Sequence, residues 1–170
     1  DINSGNGVND AFMDRLVITP ERLSKMAEDV SNIAKLDDPV GEVYDMNTRP
    51  NGLRIGKKRV PLGVIGSIYE SRPNVTLDIS SLCLKSGNAC ILRGGSEAIN
   101  SNSVLTKLVR QAIGEVGLPE DAVQLIEHTD RKFVRSMLKM HKYIDLMIPR
   151  GSADFIDFVS KHATMPIVAG

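Results

Sequence analysis

The chain has 170 residues, with 21 Lys+Arg set against 21 Asp+Glu, which suits one domain with a sizeable core. Its net charge of zero gives no electrostatic reason to expect nucleic acid as a partner, and its apolar runs are too short to span a membrane. No signal peptide opens the sequence, and its two cysteines, Cys83 and Cys90, fit a reduced cytoplasmic protein better than a disulfide scaffold. Both fall at apolar positions and are expected to be buried thiols. The chain starts at Asp1 without a methionine and stops at Gly170 after an apolar run, so a longer protein is expected.

In chain order, Asp1 to Asp10 is polar and rich in Gly and Asn, and reads as loose. Thr19-Pro20-Glu21 supplies a cap, a first-position proline and an early acid, so a helix starts there. Leu23, Met26, Ala27, Val30, Ile33 and Ala34 give it an apolar stripe. Residues 37–51 hold Pro39, Gly41 and Pro50 and read as a loop or linker, which sets an N-terminal unit, 1–51, apart from an α/β domain, 52–170. Gly52 to Arg59 alternates apolar and basic residues, predicting an extended arm whose Lys57-Lys58-Arg59 is a solvated edge.

The stretch from Pro61 to Glu97 organises the rest. Val64 to Ile68 is an apolar run without alternation, as in a strand covered on both faces. Asn74 offers an N-cap, and Asp78 puts a carboxylate near the positive end of the helix that follows. Val75, Ile79, Leu82 and Cys83 recur on one helical face, and Gly87 supplies the stop. Ala89 to Leu92 is the next strand, followed at once by Arg93-Gly94-Gly95-Ser96-Glu97.

A long helix then runs to Val116, with Leu105, Leu108, Val109, Ala112, Ile113 and Val116 expected inside, until Gly117 and Pro119 end it. Val123 to Ile126 is a strand, and Asp130 caps a helix carrying Phe133, Val134, Met137 and Leu138. Tyr143 to Ile148 is a strand, Pro149-Arg150-Gly151-Ser152 opens a helix with Phe155, Ile156 and Val159, and Met165 to Ala169 is the last strand. This alternation predicts an α/β fold, a Rossmann-like parallel sheet with helices on both faces and right-handed crossovers.

Three turns at strand ends could carry chemistry, because open α/β sheets bind ligands outside the carboxyl ends of their strands. Arg93 to Glu97 lacks a G-x-G-x-x-G pattern, yet Gly94 and Gly95 would let backbone N–H groups approach a ligand. Arg93 at the strand end favours the 2′-phosphate of NADP if this is a dinucleotide site; the alternative is a plain left-handed turn with a solvated arginine. Gly151 and Ser152 could take a pyrophosphate, or Ser152 could simply cap its helix. In Glu70-Ser71-Arg72-Pro73-Asn74, Arg72 could clamp an anion and Asn74 could donate to an oxyanion, or Asn74 could be a cap and Arg72 a surface residue. His128, His141 and His162 lack metal-ligand spacing, and no metal is expected. Met26 and Met137 read as core residues.

The sequence resembles the γ-glutamyl phosphate reductases, also called glutamate-5-semialdehyde dehydrogenases, of the aldehyde dehydrogenase superfamily. The resemblance rests on Asp14 to Arg22, Asp38 to Gly41, Arg59 to Val75, Ser81 to Glu97, Gly117-Leu118-Pro119 and Lys142 to Gly151; IYESRPN and ILRGG are its most specific parts. A similar module forms half of the bifunctional pyrroline-5-carboxylate synthases. The resemblance implies NADPH-dependent reduction of L-glutamyl 5-phosphate to glutamate 5-semialdehyde with release of phosphate, a proline-biosynthesis step. It also implies a cysteine thiolate as nucleophile, a cytoplasmic homo-oligomer and a functional contact with glutamate 5-kinase.

Position by position, Arg93 stands where the superfamily has a lysine at the adenosine ribose, with Gly94, Gly95, Ser96 and Glu97 as the adjoining turn. Gly151 and Ser152 stand at its Gly-Ser-Thr pyrophosphate turn, where Ala153 replaces the Thr. Its oxyanion Asn falls near Arg72 or Asn74, with Glu70 beside them. The superfamily's general-base glutamate would fall near Val168, and its absence agrees with an enzyme that does not activate water. The nucleophilic cysteine is expected beyond Gly170, so residues 52–170 would be an incomplete NADP-binding domain, inactive alone. The competing readings are a noncatalytic nucleotide-binding module and an oxidising aldehyde dehydrogenase.

Overall fold

Thr19 starts the first described helix: its Oγ1 accepts the N–H of Arg22 at 3.2 Å, ahead of α1 (Pro20–Ala34). The structure, a computed structural model, describes residues 16–70 and 72–169; the expected loose segment 1–10, Ser71 and Gly170 lie outside them. Within α1 only Met26 is buried, Val30 and Ile33 are half-buried, and Leu23 is exposed. The stripe is narrower than its sequence suggests because one neighbouring helix covers it.

Residues 37–51 are not all loop. β1 (Val43–Thr48) pairs antiparallel with β2 (Arg54–Lys58), the arm expected to be merely extended. Gly52, with φ of 83°, donates its N–H to the Arg49 carbonyl at 2.9 Å in the turn between them. Pro50 and Asn51 lie inside that turn and the glycine alone takes a positive φ, so the Pro50 read as a loop marker is a turn residue; the unit boundary drawn at 51/52 falls inside this turn. Every residue of both strands is exposed, so no buried face marks them as strands in the sequence. Ion pairs of Lys57 with Asp45 and of Arg59 with Glu42, and the Tyr44 ring beneath both cations, line the hairpin instead.

The main sheet is parallel and four-stranded: β3 (Val64–Tyr69), β4 (Ala89–Arg93), β5 (Val123–Leu125) and β6 (Leu146–Arg150), in the order β5-β4-β3-β6. The chain builds outward from β3 to β5, then crosses back to lay β6 on the other side of β3. That reversal makes a topological switch point beside β3. From Ile65 to Tyr69 β3 is buried throughout, as its unalternating run predicts.

α2 (Asn74–Lys85) and α3 (Ile99–Glu115) cover one face, over Ile65, Tyr69, Cys90, Leu92 and Val123. α4 (Arg131–Met137) and α5 (Ala153–His162) cover the other, around Ile68, Ile144 and Met147. Both α2 and α3 end in the same motif. The N–H of Asn88 reaches the Cys83 carbonyl at 2.8 Å past Gly87 (φ 71°), and that of Leu118 reaches Ile113 at 2.9 Å past Gly117 (φ 79°). Among the described residues no helix is long and apolar enough to cross a membrane.

Several boundaries and faces differ from the sequence reading. Asn74 does not cap α2; Pro73 holds that place, and Asn74 is the first helical residue, donating Nδ2 to Asp78 Oδ2 at 3.1 Å. Leu82 is 44% exposed, and the buried face of α2 runs through Val75, Thr76, Ser80 and Cys83. On α3 the buried residues are Asn102, Leu105, Thr106 and Ile113, while Leu108, Ala112 and Val116 face outward. Polar Asn102 and Thr106 hid this face because apolarity was used to find it. Tyr143 lies in a turn, 71% exposed, and β6 begins at Leu146 and runs on through Pro149 and Arg150. The last strand reduces to one parallel bridge, Met147 to Ile167.

Candidate functional site

The carboxyl ends of β3, β4 and β6, with one face of α4, enclose a cleft of about 970 Å3, at the upper end of the roughly 300–1,000 Å3 of small-molecule sites. Glu70 and Arg72 enter it after β3, Arg93, Gly95, Ser96 and Glu97 after β4, and Gly151 and Ser152 after β6. The three turns singled out in the sequence therefore meet at one place. Gly94 and Asn74 do not line the cleft. Asn74 is half-buried, with its amide engaged by Asp78. Burial raises the Asp78 carboxyl above its ordinary value, against the opposing Asn74 bond, with Asp29 raising it further and Arg150 lowering it.

Sequence reasoning missed Arg131 and Arg135, which look like ordinary solvated charges on a short helix. It noted Arg150 without giving it a role. With Arg72 and Arg93 they make five arginines against Glu70 and Glu97 among the lining residues. A concave wall with this excess attracts anions. Phe155, Phe158, Val134 and Val75 add apolar surface, where a flat ring could rest.

The two glycine turns are built differently. Neither Gly94 nor Gly95 has a positive φ; Gly95 sits at φ −59°, ψ 149°. The left-handed turn considered as the alternative is therefore not formed. Gly94 answers a packing demand: a Cβ there would run into Nδ2 of Asn102 and come 3.0 Å from the Tyr69 ring. Beneath it lies a buried polar chain. Tyr69 Oη and Thr76 Oγ1 are 2.7 Å apart, and Thr76 donates to Asn102 Oδ1 at 3.1 Å. Burial pushes the Tyr69 phenol up to about 12, against the opposing Thr76 bond and with a smaller push from Cys90, so it stays neutral near pH 7.

Across the cleft, Ser152 caps α5, its Oγ accepting the Phe155 N–H at 3.3 Å. Its own N–H donates to Glu70 Oε2 at 3.1 Å. A Cβ on Gly151 would lie 2.6 Å from that carboxylate and 2.9 Å from Phe155. The chain thus supplies its own anion to this turn.

Arg93 donates from Nη2 to the Thr129 carbonyl at 2.8 Å, tying the end of β4 to the loop before α4, while its Nε is buried without a partner. Burial pulls its guanidinium below the ordinary value, with Glu97 opposing and Arg131 adding to the effect. Cys83 and Cys90 are 3% and 1% exposed, in the core rather than the cleft. The neighbouring Cys90 sulfur, together with burial, pushes the Cys83 thiol up, which disfavours a nucleophilic thiolate. The histidines are exposed: His128 stacks on Phe133 with centroids 4.7 Å apart, His141 meets Thr164 and His162 meets the Phe158 carbonyl. Among the described residues no group of three or more His, Cys, Asp or Glu could hold a metal ion.

A γ-glutamyl phosphate reductase from Dehalococcoides mccartyi (strain ATCC BAA-2100 / JCM 16839 / KCTC 5957 / BAV1) is 60% identical over 165 residues, 97% of this chain and 39% of that protein. The γ-glutamyl phosphate reductase of Thermotoga maritima, a solved structure, superposes with a TM-score of 0.92 at 46% identity, over 96% of this chain and 39% of that one. The chain belongs to the γ-glutamyl phosphate reductase family. A γ-glutamyl phosphate reductase structure from Saccharomyces cerevisiae agrees, with a TM-score of 0.87 at 32% identity over 98% of this chain and 42% of that one.

No family model matches. An engineered glycolyl-CoA reductase solved with bound NADP+ shares the fold alone, with a TM-score of 0.68 at 19% identity over 92% of this chain and 39% of that one. The chain spans about two fifths of the length of the curated γ-glutamyl phosphate reductases it matches, 39% in D. mccartyi.

Proposed function

We propose that this chain contributes the cofactor-binding part of an enzyme that reduces L-glutamyl 5-phosphate to L-glutamate 5-semialdehyde, releasing phosphate, with NADPH as reductant. The observation that carries this reading is the arginine-lined cleft at the switch point, in a chain 60% identical to a γ-glutamyl phosphate reductase over 165 residues. The residues present fit a dinucleotide. The cleft is large enough, its guanidiniums exceed its carboxylates, and aromatic and aliphatic side chains line it. When bound, the cofactor supplies a hydride.

The chain's own residues bind and orient. Arg93, Gly94, Gly95, Ser96 and Glu97 form the rim for the adenosine end, with Gly94 set back against Asn102. Gly151 and Ser152 form the opposite rim for the pyrophosphate, which must displace or share the Glu70 contact. Arg72 reaches the cleft and would take the substrate's charged end; Asn74, turned to Asp78, would need to rotate to serve as an oxyanion donor. The buried Cys83 and Cys90 cannot supply the nucleophile, which this reading assigns to a cysteine elsewhere in the protein. A cytoplasmic homo-oligomer acting next to glutamate 5-kinase completes the proposal.

The test is the reverse reaction of the full-length protein, followed as NADP+ reduction with glutamate 5-semialdehyde. The expected result is turnover that needs phosphate. Turnover with water and no phosphate would mark an oxidising aldehyde dehydrogenase, and NADPH binding without any turnover would mark a noncatalytic module.

A further inference from the structure

Arg131 and Arg135 stand four residues apart on α4, so their side chains leave the helix on one face, and both line the cleft. Neither guanidinium forms a hydrogen bond or ion pair with any described residue. The acids nearest in sequence are engaged elsewhere. Asp130 takes the backbone N–H of Lys132 at 2.8 Å and its ammonium at 3.2 Å, and Glu127 accepts the Ser103 hydroxyl at 2.8 Å. Arg93, held to the Thr129 carbonyl at 2.8 Å two residues before Arg131, adds a third cation at the same end. The Glu97 carboxylate acts on Arg93, but the three guanidiniums outnumber it, and their mutual repulsion is relieved by an anion carrying more than one charge.

The opposite rim, at Ser152, already holds the Glu70 carboxylate. Three of the five arginines that line the cleft, Arg93, Arg131 and Arg135, gather at the α4 end, beyond the turn after β4. A phosphate monoester is close to a dianion at neutral pH, and a pair of arginines suits it geometrically. We propose that Arg131 and Arg135 are the residues that select NADPH over NADH, forming a fork for the 2′-phosphate with Arg93 as its anchored back wall. This rests on the dinucleotide reading of the cleft.

The test is a binding titration of the full-length protein with NADPH, NADH, 2′,5′-ADP and 5′-AMP, before and after Arg131→Ala/Arg135→Ala. The double variant is expected to bind NADPH and 2′,5′-ADP about 100-fold more weakly, as two charge-assisted contacts are lost. NADH and 5′-AMP should change by less than about threefold. Arg131→Lys/Arg135→Lys should restore part of the loss, because charge returns without the fork. In the unaltered protein, 2′,5′-ADP affinity should fall with salt more steeply than that of 5′-AMP, a readout that does not depend on any variant folding. Equal losses for both nucleotides of a pair, or no loss, would overturn the assignment of these arginines while leaving the dinucleotide site in place. Failure of the unaltered protein to bind any of the four ligands would overturn both.

Discussion

The two rims of the cleft are made from the same parts, a strand end, a glycine and a helix, yet they are finished in opposite ways. At Gly151-Ser152 the polar groups are already satisfied: Glu70 takes the Ser152 N–H and the Ser152 hydroxyl takes that of Phe155. At Arg93–Glu97, and on α4 beside it, the cations outnumber the acids and the glycine is fixed from below by Asn102. Strand-end geometry alone therefore does not identify a phosphate site. The charge left unsatisfied there is what sets the two rims apart.

The largest expected effect breaks the contrast at its base. Gly94→Ala would press a methyl group onto the buried Asn102 and Tyr69 and should cost about 1–3 kcal/mol of stability, read by urea unfolding. Gly151→Ala meets the end of an exposed Glu70 side chain, which can swing away, together with the Phe155 ring edge; it should cost less than about 1 kcal/mol. Equal costs would remove the distinction between the two turns. Arg93→Ala should weaken NADPH binding by about 1–3 kcal/mol and NADH binding less, measured by calorimetry.

Tyr69 tests the layer under the first rim. Its phenol is raised to about 12 from an ordinary 10, so its contribution is complete below pH 10 and is lost as pH climbs from 10 toward 12. Unfolding experiments should show about 2–3 kcal/mol of alkaline destabilisation that is missing in Tyr69→Phe. If both proteins lose stability alike, the phenol is not the group responsible. The smallest effect is expected across the cleft. Glu70→Gln keeps an acceptor for Ser152 but removes a charge, and should tighten NADPH by about 0.5–1 kcal/mol; weaker binding would show that Glu70 assists the cofactor.

Much of this architecture was legible because burial writes a pattern. The run at Val64 to Ile68, the caps at Thr19, Asp130 and Ser152 and the stops at Gly87 and Gly117 each correspond to a local physical requirement met in the fold. The hairpin of β1 and β2 was not legible, since all its residues are exposed and no alternation records a buried face. The inner face of α3 was misplaced because Asn102 and Thr106 are polar residues buried for their hydrogen-bonding positions. Arg131 and Arg135 escaped notice because only the fold brings them into one cleft with Arg93; in the sequence they are 38 and 42 positions away from it.

The most direct measurement is a crystal structure of the full-length protein with NADPH bound. The account predicts the adenosine 2′-phosphate within hydrogen-bonding reach of Arg131 and Arg135, with the pyrophosphate near Ser152. A cofactor seated away from β3, β4 and β6, with these arginines still facing solvent, would contradict it.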